Sequence, residues 1–248
     1  MPGGAAEALS AVEVTHPEAA RQTLAIHREA FASAGLGEAW SRVIALVVQP
    51  GVEFDHDRVI DYEPRRACGL AEVLADQDRF VFEAHSTDYQ RPEALAALVR
   101  DGFAILKVGP GLTFALREAL FALASIETTL IDPRDQSQLP AVVERLMRER
   151  PQHWQGYYHG APSAERLLRT YSYSDRMRYY WGEPSIEAAV GTLMRNLDAV
   201  EIPESLVSQH LPQQYQAIRQ GRLERKPKAL VLDRVRDALR PYAAACGR

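Results

Sequence analysis

The sequence predicts an α/β protein in which three parallel βα units are followed by a region built of helices. Three apolar segments before residue 110 end in glycine, proline or small polar residues and alternate with helical patterns. After residue 130 the pattern indicates helices separated by prolines, with no convincing strand. We therefore place the domain boundary between residues 129 and 130.

The elements of the first part follow one another in a regular order. The first helix, over residues 15–35, opens with the capping pattern Thr15-His16-Pro17-Glu18. The apolar run 43–48 comes next and is typical of a strand buried on both faces of a parallel sheet. The remaining strands are predicted over residues 80–84 and 103–108, and the remaining helices over residues 63–75, 92–100 and 113–126.

The second part of the chain is predicted to be a helical extension packed on the first. Its helices cover residues 139–150, 163–170, 185–198, 204–220 and 228–245. Charge divides the chain in the same way. Residues 1–129 hold 11 basic and 19 acidic side chains, a net of −8, whereas residues 130–248 hold 18 and 14, a net of +4.

Composition excludes several classes of protein. The 248 residues are 46% hydrophobic and 25% charged, which is typical of a globular chain. A net charge of −4 argues against nucleic acid or a membrane surface as a partner. Cys68 and Cys246 are the only cysteines and lie far apart, which indicates a reducing compartment. Because no membrane-length apolar run and no signal peptide pattern occur, we expect a cytoplasmic protein.

The length of the chain contrasts with the number of its strands. A complete (β/α)8 barrel takes roughly 250 residues, but this sequence provides three strands. Three parallel strands cannot close a barrel, so the outer edges at residues 43–48 and 103–108 would lack partners. We therefore expect the chain to be poorly soluble or associated when it is made alone.

Candidate site residues follow the three strands, because ligands of parallel sheets bind at the carboxyl ends of strands. After the first strand come Gln49, Glu53, Asp55 and His56. Carboxylates beside an imidazole suit acid–base chemistry or a metal ion. An exposed acidic loop is the alternative interpretation of the same residues.

The end of the second strand carries Glu83 and His85, followed by Ser86 and Thr87. His85 is placed to ligate a divalent cation, and the two hydroxyls suit a phosphate group. A zinc site takes three or more protein ligands, and no other histidine is spaced to complete one. A structural role for His85 at the sheet edge is the alternative.

The third strand ends at Lys107, ahead of Gly109-Pro110-Gly111 and Thr113. Glycines at a strand-to-helix turn allow backbone amides to approach a phosphate. A desolvated Lys107 would suit Schiff-base chemistry, with Glu83 as a second weak catalytic candidate. The alternative is an ion pair between Lys107 and Glu83 on the adjacent strand.

One segment of the helical part, residues 171–181, interleaves arginine with aromatic residues. Such residues stack on nucleic acid bases or sugars, but they are also enriched at protein interfaces. Because the net charge of this part is small, we expect the segment to pack against the barrel part or a partner subunit.

Several blocks of the sequence resemble the GatZ/KbaZ family, the non-catalytic subunits of class II D-tagatose-1,6-bisphosphate aldolase. The resemblance runs through essentially the whole chain. The matching blocks are VQPGVEFDH at 48–56, VFEAHSTDYQ at 81–90, FAILKVGP at 103–110, LTFALREA at 112–119, YSYSDR at 171–176, RYYW at 178–181 and SQHLP at 208–212.

The resemblance implies a subunit of a TIM-barrel enzyme of galactitol and N-acetylgalactosamine catabolism. It implies a catalytic aldolase subunit as partner, zinc as cofactor through that partner or His85, and little or no activity alone. Two alternatives remain open: a sugar-phosphate aldolase in its own right, and a sugar-phosphate binding module. The sequence has no GxxxxGK[ST] motif of the kind that a phosphate-transferring nucleotide site uses.

The resemblance also implies roles for single residues. His85 corresponds in position to a zinc-ligating histidine of the related catalytic subunits, and Ser86, Thr87, Gly109 and Thr113 correspond to their phosphate site. Family members carry about five further βα units before the point where this sequence starts. The resemblance thus implies a partial barrel, with the strands counted here as the sixth to eighth, and an oligomeric assembly.

Overall fold

The computed structural model describes residues 12–77 and 79–247. These residues form two compact units. Unit 1 runs to Gly109 and takes in the residues from Arg240 on, whereas unit 2 runs from Pro110 to Leu239. The division therefore lies after residue 109 rather than after residue 129, because the helix that begins at Pro110 packs into the helical core of unit 2.

Unit 1 combines short strands with helices. Its elements are α1 (Pro17–Ser33), α2 (Gly37–Trp40), β1 (Ala45–Val48), β2 (Glu53–Phe54), β3 (Val59–Ile60), α3 (Pro64–Ala71), a 3-10 helix (Glu72–Asp76), β4 (Val81–Ala84), α4 (Pro92–Arg100) and β5 (Ile105–Leu106). The predicted strand at 103–108 is shorter than expected, because only Ile105 and Leu106 pair with β4.

The three predicted strands form one parallel sheet in the order β1-β4-β5. Ala45 pairs with Val81 and Val48 with Ala84, while Glu83 pairs with Ile105. The carboxyl ends of the strands therefore meet at one edge. The described chain is a helix-rich α/β protein, as the sequence predicts at that level.

The core of unit 1 forms between the sheet and the helices that follow its strands. Phe82 of β4 is fully buried, and its ring lies 5.4 Å from that of Phe103. Tyr62 packs edge-on against Phe103, and its hydroxyl donates to Asp101 at 2.9 Å. Leu95 and Leu98 of α4 complete the packing on the sheet. Aromatic and aliphatic burial on this scale is the main source of stability of such a layer.

Unit 2 is built of helices. They are α5 (Pro110–Leu130), α6 (Leu139–Glu149), α7 (Pro162–Tyr171), α8 (Pro184–Asp198), α9 (Glu204–His210), α10 (Pro212–Arg219) and α11 (Pro227–Ala245), with 3-10 turns at Pro151–His153 and Arg176–Tyr179. The last residues of α11, from Arg240 on, belong to unit 1. The single helix predicted over 204–220 is wrong. It divides at Leu211, because Pro212 cannot continue the preceding hydrogen-bond ladder.

The core of unit 2 gathers apolar residues from α5, α6 and α8, including Leu123, Met147 and Leu193, all fully buried. The indole of Trp154 joins this core and donates to the carbonyl of Met147 at 2.7 Å. Within the described part of the chain, no helix is long and apolar enough to cross a membrane.

We predict that Phe82→Ala lowers the free energy of unfolding of unit 1 by about 3–5 kcal/mol, because it removes a buried ring and leaves a cavity. Ile26→Ala, at a position that is 56% exposed, serves as control and should change it by less than about 0.5 kcal/mol. Hydrogen exchange of the strand amides measures both values. Equal losses in the two variants would contradict the prediction.

Candidate functional site

The buried polar residues of unit 1 gather where β1, β4 and β5 end. They comprise Glu53, Asp55, His85, Ser86, Thr87, Asp88 and Gln90. Buried polar groups are costly unless they are hydrogen-bonded. The bonding pattern around these side chains therefore indicates what each one does.

Glu83 and His85 form a pair at the end of β4. Glu83 is the third residue of β4, and His85 follows the last residue of the strand, Ala84. His85 Nε2 lies 2.7 Å from Glu83 Oε1, and both side chains are largely shielded from solvent. The carboxylate fixes the orientation of the imidazole in the way that supporting carboxylates orient histidines elsewhere.

Glu53 is held by Ser86 and by its own neighbour in β2. The Ser86 side chain is hydrogen-bonded to the Glu53 carboxyl, and the backbone N–H of Phe54 donates to it at 3.1 Å. Burial raises the pKa of Glu53, and the nearby charge of Asp88 adds to the rise. The carboxyl therefore retains its proton to a higher pH than an exposed glutamate does.

Asp55 shapes a hairpin that the sequence did not predict. Its Oδ1 accepts hydrogen bonds from the backbone N–H groups of Asp57 and Arg58, at 3.0 and 2.8 Å. Strands β2 and β3 pair antiparallel on either side of this turn. The alternative of an exposed acidic loop is therefore wrong at Glu53 and Asp55, which are buried.

Thr87 and Asp88 connect the end of β4 to the segment after β5. The Thr87 hydroxyl donates to the carbonyl of Lys107 at 2.8 Å, and the Gly109 N–H donates to Asp88 Oδ1 at 2.8 Å. Tyr242, near the end of α11, donates its hydroxyl to the Thr87 carbonyl at 2.7 Å. Burial raises the pKa of Tyr242, so it stays a donor across the physiological range.

Lys107 is exposed, and its side chain does not enter this network. The ion pair expected between Lys107 and Glu83 does not form among the described residues, because Glu83 bonds to His85 instead. The backbone of Lys107 is engaged, with its N–H donating to the carbonyl of Ala84. An exposed amine lacks the desolvation that a Schiff-base lysine uses.

Two residues of the β4 exit adopt a left-handed backbone conformation. Ser86 has φ 55° and Tyr89 has φ 65°. Residues with a Cβ rarely adopt this conformation, which costs roughly 1–2 kcal/mol. The strain is compensated in part by the hydrogen bond to Glu53 and by the packing of Tyr89 against Phe54, with ring centroids 5.2 Å apart.

Thr113, the fourth residue assigned to phosphate, belongs to unit 2. Its hydroxyl donates to Asp175 Oδ2. Asp175 is buried with φ 42°. Burial raises the pKa of Asp175 to about 6, against the lowering effect of Thr113, Arg117 and Arg178. In the first turn of α5, the hydroxyl of Thr113 is thus already bonded to a carboxylate of the protein itself, that of Asp175.

The aromatic and arginine segment 171–181 contributes to the interior of unit 2. Tyr180 is buried, and its hydroxyl donates to the carbonyl of Arg150. The backbone N–H of Arg176 donates to the Tyr158 hydroxyl at 3.1 Å, while its guanidinium lies over the Tyr157 ring. Packing within the chain therefore accounts for most of this segment, although Tyr171 and Tyr179 stay exposed.

The donors at the strand ends do not fit zinc by themselves. His85 and Glu83 supply two adjacent donors, whereas a protein zinc site takes three or more. Among residues 12–77 and 79–247, no three His, Cys, Asp or Glu side chains come together in a way that could hold a metal ion. The donors at the strand ends therefore do not form a metal site of their own within the described residues.

A family model for D-tagatose-1,6-bisphosphate aldolase subunits of the GatZ/KbaZ-like type matches residues 1–247. The chain belongs to the GatZ/KbaZ-like family. A crystal structure from Sinorhizobium meliloti 1021, described as a probable tagatose 6 phosphate kinase, resembles the chain with 53% identity and a TM-score of 0.92. The match covers 94% of this chain and 60% of that one, so this GatZ/KbaZ-like chain spans about 60% of the length of that relative.

Sequence reasoning missed three residues of these networks. Asp88 accepts the hydrogen bond of the Gly109 N–H, although the sequence assigns it no role of its own. Tyr242 bonds to Thr87 and Asp175 bonds to Thr113, although the partners of each pair are distant in sequence. No local sequence pattern predicts such contacts. The left-handed backbone at Asp175 is a conformation that aspartate tolerates better than most residues, which is the only signal at that position.

We predict that Asp175→Asn stabilises unit 2 in a pH-dependent way. Because its pKa rises from 3.8 to about 6 on folding, the folded state binds the proton more tightly than the unfolded state. The stabilisation that this tighter proton binding gives the original chain is complete below pH 3.8 and is lost as the pH rises through 6. Asparagine retains the shape of the side chain without its charge. The free energy of unfolding of Asp175→Asn should therefore exceed that of the original chain by near zero at pH 4 and by as much as about 3 kcal/mol at pH 7.5.

The measurement is the free energy of unfolding of both proteins across this pH range. Thr113→Val, which removes the hydroxyl that bonds to the same carboxylate, is the companion variant and should destabilise the protein more at pH 7.5 than at pH 4. A difference between Asp175→Asn and the original chain that is independent of pH would contradict the assignment.

Proposed function

We propose that the chain is the non-catalytic subunit of a class II D-tagatose-1,6-bisphosphate aldolase. In this proposal it stabilises a zinc-dependent catalytic partner and supports its activity in the degradation of D-tagatose 6-phosphate, in the cytoplasm. Family membership supports the aldolase assignment. One observation on the molecule supports the non-catalytic role: the polar groups at the strand ends are bonded to one another.

This mutual bonding distinguishes a supporting structure from a reaction centre. The imidazole of His85 is held by Glu83, and the carboxyl of Asp88 accepts from the N–H of Gly109. The Thr87 hydroxyl donates to a backbone carbonyl. A general acid or base has to reach a substrate proton, whereas these groups join the segments that follow β4 and β5.

The fold proposal accompanies the functional one. We propose that β1, β4 and β5 are three neighbouring strands of a TIM barrel, with the helices of unit 2 as an extension. The parallel order and the helix after each strand support this. Such an arrangement needs further strands at both edges, which a multi-subunit or longer barrel protein would supply.

Binding of a sugar phosphate by Ser86, Thr87 and Gly109, all in unit 1, is a second proposal. It is favoured by a specific observation: the Gly109 N–H donates to the carboxylate of Asp88, so this donor suits an anion. A phosphate would have to replace Asp88, so we expect weak binding to the chain alone. Thr113 belongs to unit 2, where its hydroxyl donates to the carboxylate of Asp175, and we propose separately that this hydroxyl suits an anion.

The main experiment is co-expression with a catalytic tagatose-bisphosphate aldolase subunit. We predict co-purification, a higher rate of cleavage and a higher melting temperature of the catalytic subunit. Lys107→Met should preserve all three effects, because Lys107 is exposed and outside the bonded network. An equal amount of an unrelated protein serves as control for non-specific stabilisation.

The same experiment separates the enzymatic alternative. The chain alone, with added zinc, should not cleave tagatose bisphosphate. Cleavage by the chain alone that Lys107→Met abolishes would replace this proposal by an aldolase activity of its own. Absence of co-purification together with no change in rate or melting temperature would refute the proposed function.

A further inference from the structure

The C-terminal segment, residues 240–247, returns to the sheet of unit 1. It belongs to this unit, although the earlier part of α11 belongs to unit 2. Tyr242 and Ala245 pack against the apolar core that contains Phe82 and Phe103. The exposed members of the segment are Arg240, Ala243, Ala244, Cys246 and Gly247. Few side chains therefore attach the segment to unit 1.

The segment begins at a weak point of the helix. Pro241 lies inside α11, one residue after the point where unit 1 resumes. Proline has no N–H, so the helix lacks the bond from this residue to the carbonyl four residues before it. Detachment of the C-terminal segment thus breaks fewer helix bonds than it would in an uninterrupted helix.

Tyr242 connects this segment to the β4 exit, which comprises residues 85–90. Its hydroxyl donates to the Thr87 carbonyl at 2.7 Å and lies 3.4 Å from the Thr87 hydroxyl. Thr87 is 0% exposed. A buried acceptor that loses its donor is costly, because water does not replace the lost bond. The contact therefore favours one position of the Thr87 peptide.

The bend around Thr87 is strained on both sides. Ser86 and Tyr89 have φ 55° and 65°, and Thr87 and Asp88 lie between them. Such conformations persist where surrounding contacts hold them. Inside this bend, Asp88 accepts the hydrogen bond of the Gly109 N–H at 2.8 Å. The bond between Asp88 and Gly109 thus depends on a backbone conformation that other contacts maintain.

We propose that the C-terminal segment is a strap that holds the β4 exit in its bent conformation. While Tyr242 bonds to Thr87, Asp88 stays bonded to the Gly109 N–H. When the strap detaches, the strained bend relaxes and this N–H loses its partner. Strap and exit are then coupled, so a molecule that displaces the C-terminal segment also opens the polar exit of β4. This proposal does not depend on the proposed function.

The test is amide hydrogen exchange in the full chain, measured by NMR for Tyr242→Phe. This variant removes the hydroxyl and keeps the ring that packs on the core. We expect exchange at Gly109 to become about tenfold faster, the factor that corresponds to one hydrogen bond of ordinary strength. Exchange in β1, which pairs with β4 before the exit, should change by less than about twofold.

The matched control is Tyr215→Phe. Tyr215 is a partly buried tyrosine of α10 in unit 2, and its hydroxyl has no hydrogen-bond partner among residues 12–77 and 79–247. This variant should leave exchange at Gly109 unchanged.

Reciprocity provides a second readout, because coupling acts in both directions. Asp88→Ala loosens the exit from the other side. The Cys246 N–H, which donates to the Tyr242 carbonyl at 3.1 Å, reports on the strap. Its exchange should become faster in Asp88→Ala, with the circular dichroism of the chain unchanged.

Faster exchange at Gly109 in Tyr242→Phe, with unchanged exchange in β1, supports the proposal. An equal acceleration of all unit 1 amides overturns it, because Tyr242 then contributes to overall stability alone. Unchanged exchange at Gly109 also overturns it, as does a Cys246 amide that exchanges no faster in Asp88→Ala.

Discussion

The need of buried polar groups for hydrogen-bond partners determines the arrangement of unit 1. Ser86, Thr87, Asp88 and Gln90 follow β4, are buried and cannot rely on water, so each reaches a partner in another segment. Ser86 reaches β2, Thr87 reaches the segment after β5, and Gln90 bonds to the backbone of Tyr62 and Ile60. The exit of one short strand is thereby bonded to the hairpin, to the adjacent strand end and to Tyr242 in the C-terminal part of unit 1.

A related constraint operates in unit 2, where the segment 171–181 is joined to several helices. Asp175 meets α5 through Thr113, and Tyr180 meets the end of α6 through the carbonyl of Arg150. Arg169 of α7 forms a double hydrogen bond with Glu144 of α6. These buried or partly buried bonds specify which helices neighbour one another, while the apolar core provides most of the stability.

The sequence predicts the elements of this chain well and their contacts poorly. Prolines at the start of α4 and α8 and the β-branched run that contains β1 are local signals, so those elements are recognisable from the sequence. The hairpin at Asp55 was missed because strands of two residues have no readable periodicity. The partners of Thr87 and Thr113 could not be deduced, because Tyr242 and Asp175 are brought there by packing rather than by any local pattern.

The discontinuity of unit 1 has a consequence for the order in which the chain can fold during synthesis. Its sheet is encoded before residue 110. Tyr242, by contrast, is synthesised after all of unit 2, and its hydroxyl donates a hydrogen bond to the backbone carbonyl of Thr87. While the ribosome adds the intervening helices, the nascent sheet lacks this contact and the cover of the residues from Arg240 on. Unit 2 is continuous in sequence, so it can complete its own core before the residues from Arg240 on pack in unit 1.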